Sequence, residues 1–84
     1  MAEVVIGTVR DIFAKPMDAG IELAAPLKVG DTIHVKGHTT DIMMTVQSMQ
    51  IDNINVTEAK TGDAVGIKLT DRARKGDSVF IVTA

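Results

Sequence analysis

The side chains that could carry chemistry in this sequence are few. Two histidines, His34 and His38, lie four residues apart, and on a continuous strand that even spacing puts both imidazoles on one face. Two imidazoles do not make a zinc site, and the conceivable third ligand nearby is Asp41. Gly37 stands between the histidines and is expected to break the strand, so the pair reads as exposed strand and turn histidines. The hydroxyls of Thr39, Thr40, Ser48 and Thr70 have no base at a recognisable motif spacing, which leaves nucleophilic catalysis without a starting point. Turn capping and strand propensity account for them. The expectation is therefore a protein that is not an enzyme, with no catalytic residue, no cofactor and no metal.

Binding offers more candidates than catalysis. Met43, Met44 and Met49, with Met17, could form a soft, adaptable patch. Met44 falls on the core-facing side of its strand, so alternation turns Met43 toward solvent or a partner, beside Thr45 and Gln47. Lys68, Arg72, Arg74 and Lys75 form the densest positive stretch, interrupted by Asp71 and Asp77. Such a stretch suits a few phosphate contacts of weak, salt-dependent affinity, and equally suits a mixed-charge surface loop.

The elements that must position these groups are strands. Ile21, Leu23 and Ala25 alternate with Glu22 and Ala24, as Ile33 and Val35 do with Thr32, His34 and Lys36. Ile42, Met44 and Val46 share one parity and Met49 and Ile51 the other, which predicts one long strand from Thr40 to Ile51 with a bulge near Gln47 and Ser48. Val65, Ile67 and Leu69 make a third alternating run, and Ser78 to Thr83 reads as a last strand buried on both faces. Gly30-Asp31, Gly62-Asp63 and Gly76-Asp77 each precede a strand, where glycine supplies a positive φ and aspartate closes the turn. No helix longer than a turn is required.

Composition bounds the function. At 84 residues, with 45% hydrophobic residues, the chain reads as a single domain over residues 1–84. It has no cysteine, which removes disulfides, thiol catalysis and the common structural zinc sites, and fits a reducing cytoplasm. No apolar run is long enough to span a membrane and no signal peptide is evident. A net charge of −2 and only two aromatics, Phe13 and Phe80, argue against a general nucleic-acid binder.

The order of motifs nevertheless follows a known track. Gly7-Thr8-Val9, Leu27 to Ile33, Thr39-Thr40-Asp41, Val46 to Gln50, Gly62-Asp63-Ala64-Val65-Gly66-Ile67 and Arg74 to Asp77 resemble domain two of the translational GTPases, the elongation factor Tu type, over nearly the whole chain. That resemblance implies a six- or seven-stranded antiparallel β-barrel and a surface offered to ribosome, tRNA or a translation factor. The chain lacks the phosphate loop of the GTPase domain, so no direct GTP binding is expected. Gln50 stands where the aminoacyl-tRNA carriers usually have glutamate, which weakens the analogy to carriage. Similar barrels also serve as accessory modules elsewhere, including the tail of a collagenase-type peptidase family.

Two expectations follow. The first is a translation-factor-like binding module, with Gln50, Lys68, Arg72 and Arg74 as RNA contacts and Met43 as an apolar one. The second is a structural or regulatory protein-interaction module, unrelated to translation, that works through an exposed strand edge.

Overall fold

The computed structural model describes residues 2–13, 18–70 and 73–83. Within them the chain forms ten strands: β1 (Ala2–Phe13), β2 (Asp18–Leu23), β3 (Leu27–Lys28), β4 (Thr32–Lys36), β5 (Asp41–Thr45), β6 (Met49–Ile51), β7 (Ile54–Val56), β8 (Glu58–Ala59), β9 (Ala64–Lys68) and β10 (Ser78–Thr83). Eight of them make one antiparallel sheet in the order β5-β4-β10-β1-β2-β9-β6-β7, and β3 pairs with β8 in a separate two-stranded ribbon. The fold class is all-β and barrel-like, with more strands than the six or seven expected. Much of the excess comes from pairs as short as two residues, β3 and β8, which carry too few positions to show a period in sequence.

The core follows from alternation. Ile21 and Leu23 on β2, Ile33 and Val35 on β4, Ile42 on β5, Val65 and Ile67 on β9 and Val79 on β10 all point inward and are buried. Each such side chain contributes about 1.5–3 kcal/mol by leaving water. β1 is long enough to pair with β10 over Ala2 to Thr8 and with β2 over Gly7 to Phe13. Its register shifts between Val5 and Gly7 and again between Val9 and Asp11; such irregularities bend a strand and curl the sheet it runs through.

Three turns share one construction. Lys28 to Asp31, Lys60 to Asp63 and Arg74 to Asp77 each close with an aspartate N–H on the carbonyl three residues back, at 3.0–3.1 Å. The same aspartate's carboxylate accepts from the N–H of the first turn residue at 3.0, 2.8 and 2.8 Å. Gly30, Gly62 and Gly76 sit at φ of 99°, 92° and 91°, the left-handed region that glycine enters at no steric cost. Gly37 is required for another reason: a Cβ there would lie 1.9 Å from Oδ1 of Asp77.

Two expectations are corrected. The stretch from Thr40 to Ile51 is not one bulged strand but two strands, β5 and β6, with residues 46–48 between them. They lie toward opposite ends of the sheet order, so this short connection links the two ends of the sheet. Nor is β10 buried on both faces: Val79 is buried and Phe80, Ile81 and Val82 are half-buried, because nothing among the described residues covers the outer face of this sheet region.

Candidate functional site

β5 is a terminal strand of the sheet and pairs only with β4. Gly37 donates to the Thr40 carbonyl and Val46 donates to the Asp31 carbonyl, each at 2.9 Å. In the antiparallel register of β4 and β5, hydrogen-bonded pairs alternate with non-bonded ones. Ile42 and Met44 therefore bond to Val35 and Ile33. Asp41, Met43 and Thr45 turn their N–H and C=O groups away from β4, toward the open edge. These three positions are unpaired among the described residues.

The edge faces a groove rather than open solvent. Met43, Met44 and Thr45 form one side, Gln47 and Ser48 lie in the connection to β6, and Lys68, Leu69 and Thr70 form the other side of a space of about 430 Å3. The groove exists because β9 pairs with β6 only through Gly66 and Ile67, after which the chain runs on without a strand partner on that side among the described residues. Its lining residues include one cation, Lys68, and no carboxylate.

The outer face beside this edge carries a row of cross-strand neighbours. Val5 on β1 pairs with Phe80 on β10, Phe80 with His34 on β4, and His34 with Met43 on β5. Val5 is 53% exposed and Met43 is 52% exposed. His34 between them is buried, contrary to the expected exposed histidine, since both of its ring edges are covered by carboxylates. Its Nδ1 lies 2.5 Å from Oε2 of Glu3, and its Nε2 contacts Oδ1 of Asp41. A neutral imidazole donates one hydrogen bond, so the arrangement calls for the imidazolium, which donates two. The Asp41 carboxylate, and after it Glu3, hold the His34 pKa above its ordinary 6.5 against the opposing effect of burial.

This cluster ties β1, β4 and β5 together and holds no metal geometry, since the two carboxylates occupy opposite ring nitrogens. No group of three or more metal-ligating side chains occurs among the described residues. His38 is exposed in the bend after β4 and apart from His34, and Gly37 does end the strand between them.

Of the residues singled out in the sequence, the structure brings Met43, Met44, Ser48, Lys68 and Thr70 together on the groove. Gln50 lies elsewhere, on exposed β6, where its Nε2 donates to Oδ1 of Asn55 at 3.0 Å. Arg74 opens the third glycine turn, and Lys75 beside it approaches Asp11 at 3.9 Å. Arg72 lies outside the described residues. Sequence reasoning placed Gln47 beside Met43 and named Thr70 only for its hydroxyl; it missed Leu69 as a groove residue and Glu3 as the partner of His34. The only signal for Glu3 was its charge, 31 positions away in sequence.

No protein-family model matches the chain. An uncharacterized protease of Methanocaldococcus jannaschii is 44% identical over 78 residues, which is 92% of this chain and 19% of that protein. The chain thus spans about a fifth of the curated relative it matches. Two crystal structures of the C-terminal domain of a Geobacillus thermoleovorans protein described as a U32 peptidase superpose with TM-scores of 0.85 and 0.86. They cover 90% and 93% of this chain and 96% and 91% of theirs, at 11% identity, a level that shows the fold alone. No helix among the described residues is long and apolar enough to cross a membrane.

These similarities overturn the resemblance to translational GTPase domain two and the translation-factor function drawn from it. The likeness is to a peptidase C-terminal domain and a protease segment. The physical reason for the error lies in the turns. The glycine–aspartate signatures that carried the resemblance are the chemistry of one turn type used three times, and any small barrel that needs such turns selects the same residues. The inference to ribosome or tRNA goes with it.

Proposed function

We propose that this chain is a non-catalytic protein-interaction module, a single barrel over residues 1–84 that binds another polypeptide through the open edge of β5. The observation that carries the reading is the set of unpaired ladder groups at Asp41, Met43 and Thr45, facing a groove. Edge strands of this kind are templates for another chain, and proteins normally blunt them with lysine, proline or a bulge. β5 has none of these and carries one charge, Asp41. The likeness to a protease segment favours a role beside a peptidase-type body, as an accessory domain that handles polypeptide rather than cutting it. The lack of cysteine fits a reducing, cytoplasmic setting.

A non-catalytic role is supported by the chemistry of His34, the one histidine in a built environment. Both of its nitrogens are engaged by carboxylates, which leaves neither free to take a proton from a nucleophile.

The test compares capture of partners from native cells by the wild-type chain, Met43→Asp, Thr45→Pro and Arg74→Ala. The reading predicts a complex that resists high salt and Arg74→Ala and is lost with either β5 variant. A complex that dissolves in salt or with Arg74→Ala, and survives both β5 changes, would sink it in favour of a charged surface.

A further inference from the structure

We propose that the groove between β5 and Lys68–Thr70 receives an extended segment of an unfolded polypeptide, apolar on one face, which adds to β5 as a new strand of the main sheet. The proposal rests on the reading of β5 as the working edge and names its occupant.

Three features of the groove select that occupant. The first is the hydrogen-bond pattern. Asp41, Met43 and Thr45 present donor and acceptor at every second residue, the repeat at which an extended chain offers its own. Main-chain pairing of this kind supplies affinity without demanding a sequence.

The second feature is the far wall. A strand already belonging to a folded sheet, including β5 of a second copy with its β4 attached, carries a neighbour on its other side. That neighbour would meet Lys68, Leu69 and Thr70, which line the groove opposite β5. A lone segment brings no such neighbour, and the volume of about 430 Å3 is within the range of ligand-sized clefts.

The third feature is the lining. Inward, the segment would lie between half-buried Met44 and buried Leu69; outward, it would lie beside Met43 flanked by Asp41 and Thr45, and the rest of the lining is polar. Thioethers adapt to varied apolar side chains. Lys68 is the only charge in the lining, which disfavours lysine or arginine in the segment. A stretch that alternates apolar with polar residues is the kind that folded proteins keep paired within a sheet, its apolar face against the core. It becomes available when a polypeptide is unfolded.

The experiment titrates a blocked, fluorescein-labelled heptapeptide of alternating valine and threonine into the 84-residue chain and follows anisotropy. A second peptide, N-methylated at every other amide on one edge, serves as the backbone control. Saturable binding is expected, and Thr45→Pro or N-methylation weakens it at least about tenfold, with Met43→Asp weakening it as well. Melting curves of both variants check that the barrel remains folded. No saturable binding to the wild type, or binding indifferent to both N-methylation and Thr45→Pro, overturns the proposal. If the peptide fails while the partner captured from cells is still lost with Thr45→Pro, the edge reading stands and the unfolded-polypeptide occupant falls. If that partner survives Thr45→Pro, the edge reading itself falls.

Discussion

The two ends of the main sheet face the same problem and meet it differently. Both β5 and β7 are terminal strands with one partner each. β7 has three residues, Ile54–Val56, and joins β6 through Asp52 and Asn53 at φ of 53° and 64°, the two positive values of a type I′ hairpin turn. In such a hairpin Ile54 and Val56 bond back to β6, so Asn55 alone directs its ladder groups outward, and its side chain is already paired with Gln50. β5 has five residues and directs three sets outward, into a lined groove. One edge is closed by shortness and a tight turn; the other is longer, carries the single charge of Asp41 and borders a groove in which Met43, Met44 and Leu69 stand among polar side chains. The difference is what favours β5 over β7 as the edge proposed to bind.

The largest effect that sharpens this contrast is on stability. Ile42 is the buried inward residue of β5 and Ile54 is the 67% exposed residue of β7. Ile42→Ala is expected to cost about 2–5 kcal/mol, as other buried truncations do, and Ile54→Ala less than about 0.5 kcal/mol, measured by urea unfolding. Equal losses would mean that β7 is as deeply anchored as β5.

Next comes the clamp behind β5. Because the folded pKa of His34 is raised above 6.5, its contribution is complete below that value and is lost as pH rises through the higher folded pKa. His34→Gln should lower stability by about 1 kcal/mol below pH 6.5, a modest figure because Asp41 is 80% exposed and screened by water. The gap between variant and wild type should close as the medium becomes alkaline. Thermal melting across pH checks this, and a gap that widens with pH would show the sign to be wrong.

A smaller effect belongs to the β7 hairpin. Asn53→Gly relieves a left-handed residue and should stabilise by a few tenths of a kcal/mol to about 1 kcal/mol, leaving binding at β5 unchanged. Smallest of all on stability is Thr45→Pro, expected within about 0.5 kcal/mol of wild type, since its N–H faces the open edge where proline is tolerated. Its consequence should appear in binding instead.

Much of the fold was legible in the sequence because it depends on local chemistry. The alternation of Ile21 with Leu23, Ile33 with Val35 and Val65 with Ile67 identified β2, β4 and β9 and their inward faces. The three glycine–aspartate turns were visible from residue type alone. Met43 was turned outward by simple counting from Met44. What was not legible depends on which strand neighbours which. A change of parity after Val46 looks the same for a bulge and for a break, and only the sheet order separates β5 from β6. His34 reads as exposed by pattern and is buried because Glu3, 31 residues away, and Asp41 close over it. The groove needs β5 and Lys68–Thr70 to meet, which no local window contains.

The most direct test of the account is amide hydrogen exchange along β5, followed residue by residue by NMR with and without the valine–threonine peptide. In the free protein the amides of Ile42 and Met44 should be protected by β4 and that of Val46 by the Asp31 carbonyl, while those of Asp41, Met43 and Thr45 exchange rapidly, and the peptide should slow the second set. Uniform protection along β5 in the free protein, or a second set that the peptide leaves unchanged, would contradict the claim that this edge is open and used.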